Sequence, residues 1–213
     1  MSRPAERSKC SLVRALVAAF SDLEKPIRIV RGSFADAPEV RGAFRGKHWR
    51  DIVCTVGPAN GWCLSVMTPK AYRFYLPGYI LAAIERYKEA DVAVDALING
   101  LVKPDPADSP YGRERARRLM EERPLVSGVQ ECVFAFLAHG VERSYAYEEV
   151  KEKQFMKRVE PLSLAQKSVV REFLEYMAEV HGSDFPRREP SLALDRYWGQ
   201  FTVKRGGSYS RGR

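Results

Sequence analysis

The stretch MTPKAYRFYLPGYILAAIERY, residues 67–87, decides the fold of this 213-residue chain. Thr68 is a favoured N-cap residue and Pro69 a favoured first helical residue, so a helix is predicted to begin there. Apolar side chains then recur every three or four residues and form one face, made of Tyr72, Leu76, Tyr79 and Ala83. Because the tyrosines share this face with aliphatic residues, we interpret it as core rather than as a surface that stacks on a ligand.

Two residues of this stretch depart from the simple pattern. Pro77 cannot donate a backbone hydrogen bond and disfavours a helical conformation at Leu76, so the helix is predicted to kink or restart there. A kink would free backbone carbonyls near Arg73. Phe74 falls off the apolar face, which makes it the aromatic side chain of this helix best placed to contact a ligand.

Helical periodicity also dominates the first half of the chain. Apolar residues spaced by three or four predict a first helix over about 11–23. Asp36 is a suitable N-cap for a second helix, weakened by glycine, whose apolar face extends to His48. A third pattern predicts a short helix at about 91–102, closed by a proline-rich segment.

The last third of the chain shows the clearest helix start. Ser163 and Gln166 have the spacing of a capping box and precede an apolar pattern that ends at His181. The segment SLALDRYWGQF, residues 191–201, predicts a short terminal helix that docks through Leu192, Leu194, Tyr197 and Trp198.

One segment favours strands over helix. IVCTV and WCLSV flank a loop at 57–61 that contains Gly, Pro and Asn-Gly, which is typical of a hairpin. The four cysteines are irregularly spaced, so free thiols are expected rather than a zinc site. The sequence thus predicts a mainly α fold, a single irregular helical domain with one short β-hairpin at about 52–66.

Domain organisation follows from composition. Residues 1–199 are predicted to form one domain, and the proline- and charge-rich 103–154 is a possible inserted lobe. Within it, the apolar 129–138 is compatible with a helix or a strand. The last residues, 200–213, are basic and rich in Gly, Arg and Ser, so a disordered tail is predicted.

Composition limits the class of protein. A hydrophobic fraction of 45% and a charged fraction of 29% are typical of a folded globular chain. No window approaches 18 apolar residues and no signal core follows the start, so we expect a cytoplasmic protein with no membrane partner. Five basic residues and no acidic one follow residue 195, and removing them from the net charge of +8 leaves only +3 on 1–195.

Common catalytic and cofactor motifs are missing from the sequence. GAFRGKH has one residue too few between its glycines for a phosphate-binding loop, and no dinucleotide, nucleophile-elbow or zinc-protease motif occurs. We therefore predict no cofactor, no metal and no assigned catalytic residue. HGSD at 181–184 places His, Ser and Asp together, but a helix end followed by a polar turn explains it better than a triad.

One constellation is a candidate binding site, formed by Lys47, His48, Trp49, Arg50 and Asp51 with Arg73 and Phe74. The cations could bind an anionic group, the histidine could exchange a proton, and the tryptophan could stack. The alternative, which we favour, is structural. In it Arg50 or Arg73 bridges Asp51 and caps carbonyls opened by Pro77, and Trp49 belongs to the core.

Several motifs together resemble a family of small bacterial proteins classed as a domain of unknown function. They are FRGKHWRDI, MTPKAYRFYLPGYILAAIERY, FLEYMAEVHG and ALDRYW. The family pattern runs from H-W-R through T-P-x-A-[FY]-R-[FY]-[FY]-L-P to F-L-E-Y. The likeness covers about 10–102 and 155–199, whereas 103–154 is longer than the pattern and the tail is unmatched. This resemblance supports the fold and implies no activity.

Three functions stay open. The leading hypothesis is a non-catalytic interaction or regulatory protein with an unknown protein partner. The alternative is nucleic-acid binding through the tail, by Lys204, Arg205, Tyr209, Arg211 and Arg213. The third is a small hydrolase or transferase that uses His48 and Asp51, which lacks a nucleophile.

The tail hypothesis makes a quantitative prediction. Four basic residues beyond Thr202 give a slope of log K against log salt of at most about −3.6 on duplex DNA and about −2.8 on a single strand. Stacking by Tyr209 would favour single strands. Titration of fluorescent single-stranded RNA and duplex DNA should show that a chain ending at Thr202 loses most of the affinity. Equal binding by both chains would contradict a role for the tail.

Overall fold

A computed structural model describes residues 3–32, 35–105 and 149–202. The chain divides into two compact units, Met1–Val102 with Arg158–Arg213, and Lys103–Lys157. Within the second unit, residues 149–157 are helical and Lys103 pairs with Glu152 at 2.8 Å. The apolar segment 129–138 and most of the tail, from residue 203 onward, lie outside the described residues.

The first unit is built from helices, so the predicted mainly α fold is confirmed. In chain order they are α1 (Arg3–Ala19), α2 (Ala37–Phe44), α3 (Pro69–Glu85), α4 (Tyr87–Ala90), α5 (Val92–Leu101), α6 (Leu164–His181) and α7 (Glu189–Arg196). Short 3-10 helices occupy Gly61–Val66, Gly182–Asp184 and Trp198–Gln200.

Helix α3 is the core of this unit. Its start is as predicted, because the Thr68 hydroxyl accepts a hydrogen bond from the backbone N–H of Ala71 at 3.2 Å. The predicted apolar face is buried, and Phe74 is buried as well, with 1% of its surface exposed. The helix continues through Pro77 without restarting. Burial on nearly every side therefore replaces the one-sided face predicted from periodicity.

Two tyrosines of α3 have hydroxyls that form hydrogen bonds inside the unit. The hydroxyl of Tyr75 donates to the carbonyl of Phe44 at 2.7 Å, and that of Tyr79 donates to the carbonyl of Asn60 at 2.7 Å. Burial raises the pKa of Tyr75 to about 12, so its hydroxyl stays a donor at neutral pH. These bonds attach α3 to the end of α2 and to the loop that precedes the first 3-10 helix.

The predicted hairpin at 52–66 is wrong. These residues form turns and a 3-10 helix, and the strand-like pairing seen in the described residues is one isolated bridge between Val30 and Met67. Asn60 explains the difference, because its side chain accepts from the N–H of Gly57 and donates to the carbonyl of Thr55. Such local bonds compete with a strand ladder. The Asn-Gly sequence therefore marks a turn that has no flanking strands.

The outer helices of the first unit agree with their predicted positions to different degrees. Helix α1 begins at Arg3 rather than near 11, and α2 ends at Phe44, so His48 does not belong to its apolar face. The capping box of α6 is confirmed, with Ser163 and Gln166 bonded to each other's backbone N–H groups, and α6 ends at His181 as predicted.

The terminal segment closes the unit through one buried side chain. Trp198 is fully buried, and its indole N–H donates to the carbonyl of Leu101 at the end of α5, at 2.7 Å. Leu192 and Leu194 are only half-buried. The predicted docking of this segment therefore depends mainly on the tryptophan.

The described ranges have three further features. None of the helices in them is both long and apolar enough to cross a membrane. The same part of the chain contains no group of three or more His, Cys, Asp or Glu side chains placed to hold a metal ion. The thiols of Cys10, Cys54 and Cys63 are free.

The close packing around Gly78 predicts the effect of adding a single methyl group. A Cβ added to Gly78 would overlap the carbonyl oxygen of Trp49 and lie 2.8 Å from Ile52, so Gly78→Ala should cost more than about 2 kcal/mol. Gly42→Ala is the matched control in α2, where a Cβ has open space, and should stabilise by up to about 1 kcal/mol. Urea unfolding of both variants measures the difference, and equal stability would contradict this packing.

Candidate ligand-binding site

The predicted constellation at 47–51 forms a compact turn. The backbone N–H of His48 donates to a carboxylate oxygen of Asp51 at 2.9 Å, and Nδ1 of His48 accepts from the backbone N–H of Arg50 at 3.2 Å. Asp51 therefore holds the backbone of His48 rather than its imidazole. Burial and the nearby Arg50 charge lower the pKa of His48, so the neutral form that accepts the hydrogen bond is favoured.

The aromatic members of the constellation are turned inward. Trp49 is fully buried, with the guanidinium of Arg50 4.8 Å from its ring centre. Phe74 contacts His48 edge to face, with ring centres 5.5 Å apart. Both aromatic rings are thus part of the core, and the groups left at the surface are Lys47, His48, Arg50 and Asp51. Stacking of Trp49 on an external ligand is incompatible with this burial.

Arg73 belongs to a different junction. Its Nε donates to the side-chain oxygen of Gln166 at 3.0 Å, and the side-chain nitrogen of Gln166 donates to the carbonyl of Ala19 at 3.0 Å. Gln166 is 2% exposed and also completes the capping box of α6. One buried amide therefore ties α3 and α6 to the end of α1. The structure does not bring Arg73 together with Asp51, either as a site or as the predicted ion pair.

This junction makes Arg73 a structural residue. Arg73→Met should lower the free energy of unfolding by about 1 to 3 kcal/mol, because a hydrogen bond from a charged donor to a buried amide is lost. Arg50→Met removes the same charge from an exposed side chain and should cost less than about 1 kcal/mol. Chemical unfolding compares the two, and an Arg73 variant no less stable than the Arg50 variant would contradict the assignment.

A second place in the first unit has the properties of a binding site. It is a cavity of about 160 Å³, here called the arginine cavity, bounded by the first 3-10 helix, α3, α5 and Arg158. Its lining residues are Gly61, Trp62, Leu64, Ser65, Tyr72, Ala96, Leu97, Gly100 and Arg158. Most of these are apolar. The cavity thus combines a small apolar volume with one cationic side chain.

Arg158 has few partners of its own. Its guanidinium lies 5.5 Å from the ring centre of Tyr72, and its Nε is buried without a hydrogen-bond acceptor among the described residues. Tyr72 lines the same cavity. Burial raises the pKa of Tyr72 although the Arg158 charge opposes this, so the phenol stays protonated. One buried donor, the Nε of Arg158, is therefore left without an acceptor in the described residues.

A second arginine adds to the positive charge. Arg31 donates through Nη2 to the carbonyl of Ser65, a lining residue, at 2.6 Å. Burial and the neighbouring charge of Arg158 both lower the pKa of Arg31. Neither arginine forms an ion pair with a carboxylate in the described ranges. Two cations that repel each other without a counter-charge create a positive potential that favours an anion.

Sequence reasoning missed this cavity for a clear reason. Arg31, Tyr72 and Arg158 come from three distant parts of the chain, and none belongs to a recognisable motif. Tyr72 was correctly assigned to the core, but burial of its ring gave no sign of the cavity beside it. Only the packing of segments that are distant in the chain brings these side chains to one place.

The HGSD segment also has a definite structure. The hydroxyl of Ser183 is paired with Asp184, while Asp184 accepts a hydrogen bond from the hydroxyl of Tyr87 at 2.9 Å. The Tyr87 ring stacks on His181 with centres 3.6 Å apart, and burial lowers the pKa of His181. Ser183 is bonded to the carboxylate and not to the imidazole. The order of contacts needed for a nucleophilic triad is therefore not formed.

The tail residues Lys204, Arg205, Tyr209, Arg211 and Arg213 lie outside the described residues, so tail binding stays a prediction. In comparisons with protein-family models, curated proteins and solved structures, no match to this chain was found. The resemblance based on the sequence motifs likewise stays a prediction, and the arginine cavity is the feature of the fold on which a function can be argued.

Proposed function

We propose that this protein is a non-catalytic regulatory protein that responds to a small organic anion bound in the arginine cavity. The observation that carries the proposal is the pair Arg31 and Arg158, two mutually repelling cations without a carboxylate partner among the described residues, beside an apolar cavity. A bound anion would supply the missing counter-charge in a site partly shielded from water.

The lining of the cavity favours binding over catalysis. The described residues that line it include no carboxylate, histidine or cysteine, which are the usual general acids, bases and nucleophiles. Its one aliphatic hydroxyl, on Ser65, donates to the carbonyl of Trp62 at 2.7 Å. A ligand held there would be fixed by charge and shape without a group positioned to transform it.

Ligand binding at this position can control a conformation. The cavity joins the first 3-10 helix, α3, α5 and Arg158, which are far apart in sequence. A ligand that contacts all of them stabilises their common arrangement by mass action. When an anion favours one arrangement of these elements, the surface that a protein partner contacts changes with it.

The test is thermal unfolding of the full chain with a panel of sodium salts at constant ionic strength: sulfate, phosphate, acetate, hexanoate, benzoate, succinate and hexyl phosphate. At a concentration of about 100 times Kd, a ligand of the native state should raise the midpoint by roughly 5 to 10 °C. Arg158→Gln should abolish this shift. Because the repulsion from Arg31 is relieved, the same variant without ligand should be at least as stable as the wild type.

Arg171→Gln is the matched control. It also removes one positive charge, from a side chain that pairs with Glu175 and does not line the cavity, so it should keep the ligand-induced shift. Proton NMR of the incubated ligand should show it unchanged. The proposal is wrong if no anion raises the midpoint in an Arg158-dependent way, or if the bound anion is chemically converted.

A further inference from the structure

We infer that the ligand of the arginine cavity is a monocarboxylate with an apolar tail about as large as a benzene ring. This inference rests on the proposed function, because it names the class of anion that the same cavity takes. Three properties of the cavity lead to it: its volume, the character of its walls, and the single charged side chain among its described lining residues.

The volume and the walls of the cavity determine the size and character of the ligand's apolar part. A cavity of about 160 Å³ is close to the roughly 150 Å³ that accommodates benzene in an engineered apolar cavity. Leu64, Ala96 and Leu97 present aliphatic surface, and Trp62 and Tyr72 add aromatic surface. Gly100 leaves its side of the cavity open, since a Cβ placed there would meet no atom within 4 Å. An unbranched chain of about six carbons or a single ring therefore fits.

The Arg158 end of the cavity determines the charged group of the ligand. Arg158 is the one charged side chain among the described residues that line the cavity, while Arg31 already donates to the carbonyl of Ser65. A carboxylate has two oxygens and one negative charge, which the guanidinium of Arg158 can match. A phosphate monoester brings three acceptor oxygens and nearly two charges, more than one charged side chain in an apolar lining can match. A second carboxylate would be forced against the apolar wall.

The fluorescence of Trp62 provides a direct measurement. Trp62 lines the cavity and is 38% exposed, whereas Trp49 and Trp198 are fully buried, so a ligand in the cavity should change the emission of Trp62 alone. The wild-type chain is titrated with sodium acetate, butyrate, hexanoate, octanoate and benzoate at constant ionic strength. Hexan-1-ol, sodium adipate and hexyl phosphate are the head-group controls. Trp62→Phe should remove the signal.

The chain-length series gives a specific expectation. Each buried methylene should lower Kd about fourfold from acetate to hexanoate, after which the gain should stop because the cavity is full. Hexan-1-ol, adipate and hexyl phosphate should each bind at least tenfold more weakly than hexanoate. Arg158→Gln should weaken hexanoate by about tenfold to a hundredfold.

A steric variant separates the tail from the charge. Gly100→Leu places an aliphatic side chain in the cavity, keeps Arg158, and replaces a helical glycine of α5 with a better helix former, so the protein should fold. It should abolish the preference of hexanoate over acetate. If instead hexyl phosphate or adipate binds more tightly than hexanoate in an Arg158-dependent way, the inferred ligand class is wrong while the proposed function stands. If none of the anions binds, both are wrong.

Discussion

The almost complete burial of α3 is the constraint on which the rest of the first unit depends. A helix buried on most sides has neighbours at every turn, and Gly78 allows the backbone of Trp49 and the side chain of Ile52 to approach it closely. That contact fixes the turn at 47–51 against the helix. The position of His48, Arg50 and Asp51 at the surface follows from it, since the intervening tryptophan is fully buried.

Burial of α3 also favours hydrogen-bond partners for the polar groups on it. Tyr75 and Tyr79 reach backbone carbonyls, and Arg73 reaches the amide of Gln166, which in turn bonds the end of α1. An arginine that looks like part of a surface site in the sequence is thereby used to join helices. The physical reason is the cost of a buried unpaired polar group, which exceeds the small gain from most surface contacts.

The arginine cavity departs from this rule. Arg31 and Arg158 repel each other, and the Nε of Arg158 lacks an acceptor in the described part of the chain. Native cores usually avoid such arrangements because they lower stability, and where they occur they often serve binding. The same feature that costs the empty protein stability would give affinity for an anion. Function and stability are thus opposed at one pair of side chains.

The sequence by itself determined the mainly α class, the start of α3 at Thr68, the capping box of α6, and the burial of the tyrosine face. These are local features, encoded by spacing of three or four residues and by caps. The sequence could not distinguish a hairpin from a turn at 52–66, because hydrogen bonds from the side chain of Asn60 decide between them. Only the tertiary structure assigned Arg73 to a helix junction and brought Arg31, Tyr72 and Arg158 together. Contacts between residues distant in the chain depend on how the helices pack, and no short motif carries that information.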